Sequence, residues 1–136
     1  MKVKEVMSSE VAVIQSNSTI QEAAERMKDL NVGDLPVVVN DEAVGFITDR
    51  DITVRAVALG LDTQATSVVN AMTEGILACN EEDDVQNAVK TMADKNVRRM
   101  AVVNDKQQLI GIISLNDLAA HADDHMAKEV LKALAR

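Results

Sequence analysis

Aromatic side chains are nearly missing from this chain of 136 residues: tryptophan and tyrosine are absent, and Phe46 is the single phenylalanine. Without aromatic faces there is no stacking platform for single-stranded nucleic acid. Positive charge is also scarce. The 14 Lys and Arg stand against 22 Asp and Glu, a formal net charge of −8, and they form no long cluster. A broad electrostatic footprint for DNA or RNA is therefore lacking, and no nucleic-acid partner is expected. Cys79 is the one cysteine, which excludes an intramolecular disulfide framework. No charged-then-apolar export signal opens the chain and no apolar run reaches bilayer length, so a soluble protein of the reducing cytoplasm, with no membrane partner, is expected. Nucleophile–base pairs and phosphate-wrapping Gly-rich loops are missing too, which disfavours an enzyme.

What is present is a repeat. Gly45-Phe46-Ile47-Thr48-Asp49-Arg50-Asp51 is answered by Gly111-Ile112-Ile113-Ser114-Leu115-Asn116-Asp117. Upstream, Met27, Asp29, Asn31, Val32, Val37 and Val38 match Met92, Asp94, Asn96, Val97, Val102 and Val103 at a constant offset of 65 positions (27 to 92). Each repeat alone is of marginal size, so the two are expected to share one core in one compact domain, with a pseudo-symmetric cleft where they pack face to face.

Both repeats read strand, helix, strand, strand, helix. A short apolar arm (Val3 to Met7; Val68 to Met72) leads to a strand candidate (Val11 to Ile14; Ile76 to Cys79). Ser18 with Gln21, and Asp83 with Gln86, resemble capping boxes that open a helix. Apolar residues then follow the helical period through Ile20, Ala23, Ala24, Met27 and Leu30, and through Val85, Ala88, Val89 and Met92, as core-facing stripes. Hairpins follow: Leu35 to Val39 with Ala43 to Thr48, and Met100 to Val103 with Leu109 to Ser114. Second helices are expected from Arg50 to Leu59, ended by Gly60, and from Asn116 to His121. The organisation is thus α/β, with a first repeat over 1–60, a linker over 61–67, a second repeat over 68–121, and an amphipathic helix over 122–136 that carries Met126, Val130, Leu131 and Leu134. That tail is read as a packing or dimer-contact element.

Thr48-x-x-Asp51 and Ser114-x-x-Asp117 admit two uses. A hydroxyl ending a strand, with an acid three positions on, is what an N-terminal helix cap needs. The same geometry offers helix N–H groups and a hydroxyl to phosphate, and a carboxylate to the hydroxyls of a ribose.

The duplication, the run Leu35-Pro36-Val37 and above all Gly45-x-x-Thr48-x-x-Asp51 resemble a pair of CBS domains, the module named after cystathionine β-synthase, over nearly the whole chain from Val3 to about Ala120. Small stand-alone prokaryotic proteins made of one CBS pair are the most similar type. The resemblance implies a regulatory module that binds adenosine-containing nucleotides (AMP, ADP, ATP or related compounds) in the cleft between repeats and dimerises. It implies that Asp51 and Asp117 hold ribose, that Thr48 and Ser114 approach phosphate, and that adenine lies near Val13 and Pro36 in one site and near Ala78 and Ala101 in the other. No cofactor is required beyond the nucleotide, with or without Mg²⁺. Its partners would be the adenosyl ligand, a second copy of the chain, and an unidentified protein target. The rival reading is an interaction scaffold of the same fold with no nucleotide bound.

The two sites are expected to differ. Where the first repeat has Gly33-Asp34, the second has Arg98-Arg99, and guanidinium groups donate paired hydrogen bonds to phosphate; an exposed ion pair is the alternative. Arg50 is a candidate for the first site, opposed by Asp34. The second repeat has Ala101 where the family commonly has proline, and Asn116 in place of Arg50. His121-x-x-x-His125 has metal-pair spacing but lacks the accompanying glutamate, so it is read as exposed helix. Cys79 takes the place of Ile14 and is read as a small apolar filler.

Overall fold

The computed structural model describes residues 1–121 and 123–134, with the side chains of Asp124, Ala133 and Leu134 left aside. The expected tail positions Ala122, Ala135, Arg136 and the Leu134 side chain therefore lie outside the described residues. The single compact domain expected from length is instead two compact units, Ala12–Ile76 and Met1–Val11 with the chain from Leu77 onward. The physical reason is the marginal size of one repeat: each unit completes its core with a segment that the sequence boundaries assign elsewhere.

In the unit Ala12–Ile76, β1 (Ile14–Gln15) pairs in parallel with β2 (Asp34–Val39). Next, β2 pairs antiparallel with β3 (Glu42–Thr48), and β3 with β4 (Thr73–Glu74). The β2–β3 turn is Asn40-Asp41, with φ of 50° and 66°. Two central residues in the left-handed region are what a tight hairpin of this twist requires. Helix α1 (Ile20–Leu30) is capped by Thr19, not Ser18: the Thr19 hydroxyl accepts from the Glu22 N–H at 3.1 Å. Starting there turns Ile20, Ala23 and Met27 into the core with Leu35, Val37 and Ile47, whereas Ala24 and Leu30 fall outside the stripe and are exposed. The expected linker is structural as well. Thr66 and Thr63 carbonyls accept from the Ile20 and Gln21 N–H groups, both at 3.0 Å, so the segment satisfies the first donors of α1.

Helix α2 (Asp49–Asp51) continues as a π-helical stretch, Ile52–Val57, whose wider turn is closed by the bond from Ala58 N–H to Thr53 O at 3.0 Å. Gly60, at φ 69°, ends it as expected.

In the other unit, β5 (Ala78–Asn80) pairs in parallel with β6 (Arg99–Val103), which pairs antiparallel with β7 (Leu109–Ser114). Helix α3 (Val85–Lys95) starts at Asp84, one residue beyond the expected cap, while Asp83 instead accepts from the Asn80 N–H at 2.9 Å. All four expected apolar positions of α3 are buried. Helix α4 (Leu115–Ala120) follows, then α5 (Asp124–Leu134), which packs on α3 and α4. Met126 and Val130 of α5 sit in the core, whereas Leu131 is exposed, so Val130 is a packing residue and not an available dimer contact.

Sequence order places the arm Val3 to Met7 in the first repeat, yet Val3 and Val6 are buried in this second core beside Val85 and Ile113. Backbone bonds fix it: Val3 N–H to Asp83 O at 2.8 Å, Lys4 N–H to Glu81 O at 3.0 Å, and a reciprocal pair between Ser8 and Ile112. Such an arm explains Gly111, because a Cβ there would meet Met7 Sδ at 2.6 Å and Ser8 O at 2.9 Å. Gly45 has the same duty, since a Cβ there would run into the Thr73 carbonyl oxygen. The duplicated glycine thus marks close backbone approach.

Candidate functional site

Strand β3 delivers Thr48 to the first turn of α2, and the predicted box is fully formed. The Thr48 hydroxyl accepts from the Asp51 N–H at 2.9 Å, and the Asp51 carboxylate accepts from the Thr48 N–H at 3.0 Å. Strand β7 does the same with Ser114 and Asp117, at 3.1 and 2.9 Å. The capping use is therefore real, but it does not exhaust the groups. Among the described residues neither hydroxyl donates its proton, and the Asp117 carboxylate, held by the Ser114 N–H alone, keeps lone pairs on both oxygens. Cap and ligand site are compatible in one motif.

The helix starts are less open than expected. Asp49 N–H donates to Gly33 O at 2.9 Å, and Leu115 N–H donates to Arg98 O at 3.0 Å. At α2 the Arg50 N–H is also taken, by the Asp49 carboxylate at 2.8 Å. Leu115 stands at that position in α4 and has no carboxylate to offer.

Cross-strand register sharpens the difference. Asp34 is opposite Thr48 between β2 and β3, and Arg99 is opposite Ser114 between β6 and β7. One hydroxyl thus has an acid across from it and the other a guanidinium. Arg99 is half-buried; desolvation draws its pKa below the ordinary arginine value, while the charge of Asp117 opposes that shift. A half-buried cation beside a carboxylate, across from a hydroxyl, is a suitable setting for a ligand with both hydroxyls and phosphate. Arg50 and Arg98 are exposed.

The expected adenine walls fall on strands. Ala78 and Ala101 are register partners, the first exposed and the second buried. Pro36 is buried in β2, and Val13 immediately precedes β1, one step before the Ile14–Val37 pair.

Two repeats with the same strand–box–helix ending, each closed under a glycine, decide the kinship. A family model of the CBS domain matches residues 3–57 and 66–124. The chain belongs to the CBS-domain family. It is 41% identical over 119 residues to the CBS domain-containing protein YhcV of Bacillus subtilis, covering 88% of this chain and 84% of that one. Among solved structures it is similar to the CBS domain protein PAE2072 from Pyrobaculum aerophilum complexed with AMP, at 25% identity and a TM-score of 0.82, over 96% of this chain and 98% of that one. It is also similar to the CBS domain pair of protein MJ0100 in complex with 5′-methylthioadenosine and S-adenosyl-L-methionine, at 27% identity and a TM-score of 0.79, over 89% and 98%.

Around the Thr48–Asp51 box of this CBS protein, sequence reasoning missed three neighbours. The Thr73 hydroxyl lies 3.4 and 3.5 Å from the two Asp51 oxygens, and Arg55 Nε lies 4.0 Å from one of them. Arg55 also donates to Met72 O at 3.0 Å. The third is Asp49. Arg55 was readable as the i+4 neighbour of Asp51, and Asp49 lies inside the motif itself. For Thr73 the only signal was that Met72-Thr73 echoes Met7-Ser8.

The other singled-out residues stand apart from these motifs. Cys79 is buried and burial pushes its thiol up to about 11, which suits an apolar filler and not a nucleophile. His121 follows α4, with Nδ1 3.1 Å from Asp117 O, and His125 lies in α5, so the pair does not share one helix. Among the described residues no helix is long and apolar enough to cross a membrane.

Proposed function

We infer that this CBS protein is a regulatory binding module for an adenosine-containing ligand, not a catalyst. One observation carries the reading: the hydroxyl–carboxylate box recurs in both units, and in the second a half-buried Arg99 lies across from Ser114 and beside Asp117. In this reading a box carboxylate, Asp117 or Asp51, accepts from ribose hydroxyls, while the hydroxyl of the same box, Ser114 or Thr48, donates to phosphate. Arg99, with Arg98 at its side, supplies the phosphate charge in the second unit, and Arg50 is the cation available to the first. Ala78 and Ala101, or Val13 and Pro36, form the apolar wall for adenine. Two structurally similar CBS proteins held AMP, or 5′-methylthioadenosine and S-adenosyl-L-methionine, which supports the adenosine part of the assignment. The nucleotide needs no further cofactor, though Mg²⁺ accompanies it where a polyphosphate is bound.

Occupancy is read out through a homodimer or a protein target. In the unit Ala12–Ile76 the helical segment after Asp51 and the turn that follows it present Val54, Val57 and Leu59 at 42%, 64% and 70% exposure, an apolar surface suited to a second copy. Calorimetry with AMP, ATP, 5′-methylthioadenosine and adenosine tests the ligand class. Wild type should bind at least one of them, and the double change Asp51→Ala with Asp117→Ala should abolish binding in a protein that still folds. Unchanged affinity in that variant would remove the ribose assignment.

A further inference from the structure

We propose that the motif of the first repeat is held closed by its own chain, so that a phosphate-bearing ligand is taken up at Ser114 and Asp117 alone. The proposal rests on the nucleotide reading above and adds which motif is competent and which residues decide it. Asp51 is only 7% exposed, and its carboxylate is engaged on three sides. Thr48 N–H holds one oxygen, the Thr73 hydroxyl sits across both, and Arg55 closes from the following turn while tied to Met72 O. A ribose would have to displace Thr73 to reach the same lone pairs.

Phosphate meets a second obstacle there. The Asp49 carboxylate already accepts from the Arg50 N–H, filling with its own negative charge the place an anion would take at the helix start. Among the described residues of the other unit only the bond from the box N–H, Ser114 to Asp117, is repeated. Asp117 is half-buried, and among the described residues no hydroxyl is hydrogen-bonded to it as Thr73 is to Asp51. Ser8, the counterpart of Thr73, pairs its backbone with Ile112 just as Thr73 pairs with Phe46, so the two units differ in the hydroxyl contact and not in the strand pairing. Leu115 replaces Asp49, and Arg99 replaces Asp34.

Thr73 and Asp49 are thus specificity-determining residues that keep one of two similar motifs out of use. Titration calorimetry with AMP on the full chain tests this. Wild type should bind one AMP per chain, and Asp117→Asn should weaken it roughly tenfold to a hundredfold, the loss of one charge-assisted contact. In the Asp117→Asn background, adding Thr73→Val and Asp49→Asn should restore an AMP site, whereas adding Thr73→Ser, which keeps the hydroxyl, should not. Circular dichroism establishes that each variant folds. Two equivalent AMP sites in wild type, or no restored site after Thr73→Val and Asp49→Asn, overturn the closure while leaving the nucleotide reading intact. AMP binding by none of these folded proteins overturns both.

Discussion

Ala101 donates its N–H to the Leu77 carbonyl at 3.1 Å, and Pro36, which holds the same place in β2, has no N–H with which to make that bond. The parallel ladder consequently begins one residue later in the first repeat, at Ile14 instead of the counterpart of Ala78, and β1 has two residues where β5 has three. Ala101→Pro should therefore shorten β5 and lower stability by about 1 kcal/mol for the lost bond. Chemical denaturation measures it. Pro36→Ala, which only restores a donor, should cost much less than Ala101→Pro.

The repeat was legible because its markers are local and each answers to a local demand. Gly45 and Gly111 lie under a crossing backbone, and the hydroxyl-x-x-Asp boxes close within one turn. Helix starts were legible in kind but displaced by one residue, since Ser18 and Thr19 are adjacent hydroxyls with Gln21 and Glu22 three positions on. Only burial chooses between them: the cap at Thr19 makes Ile20 the first helical residue, fully buried. Long-range docking left no periodic trace. The contact of Thr73 with Asp51 spans 22 positions, and Lys2 reaches Glu82 across 80. Nothing in the spacing of either pair distinguishes it from chance, which is why the arm was assigned to its sequence neighbour and the cover over Asp51 went unseen.

The arm should loosen in acid. Lys2, at 2.5 Å, and Lys4, at 2.7 Å, converge on Glu82 and pull its pKa from 4.5 to about 2. A carboxylate with a lower pKa in the folded state contributes stability that is complete above about pH 4.5 and is lost as pH falls through about 2. Hydrogen exchange at the Val3 and Lys4 amides should accelerate across that window more in wild type than in Glu82→Gln, which has already lost the charge. Because all three side chains are exposed, 1 M salt should reproduce part of the effect at neutral pH. Equal pH profiles for the two proteins would show that the arm is held by Val3 and Val6 alone.

The last helix should matter for folding of the second unit before it matters for assembly. Met126 and Val130 are 6% and 2% exposed in its core, so Met126→Ala should cost on the order of 2–5 kcal/mol. Leu131→Ser, at a position 66% exposed, should leave stability within about 0.5 kcal/mol. Light scattering on the Leu131→Ser protein then isolates any share of this helix in a dimer interface. A lower mass than wild type would place the helix there.

The sharpest functional test lies at Arg99, because it holds in β6 the register position that Asp34 holds in β2. If Arg99 pairs with ligand phosphate, Arg99→Ala removes a charge-assisted contact, on the order of 1.5–3 kcal/mol or roughly tenfold to a hundredfold in affinity for AMP. Adenosine has no phosphate to lose, so its affinity should change little. If Arg99 serves only to neutralise Asp117, whose charge acts on it in the folded protein, AMP and adenosine should weaken together. Arg99→Lys separates charge from geometry: an ammonium keeps the charge but not the paired donors, so intermediate loss for AMP alone argues for a guanidinium laid against phosphate. The comparison of the two ligands across both variants, by calorimetry at fixed ionic strength, distinguishes a phosphate contact from a pocket-shaping one even if the substitutions alter stability, because a purely structural loss does not discriminate between ligands that differ only in phosphate.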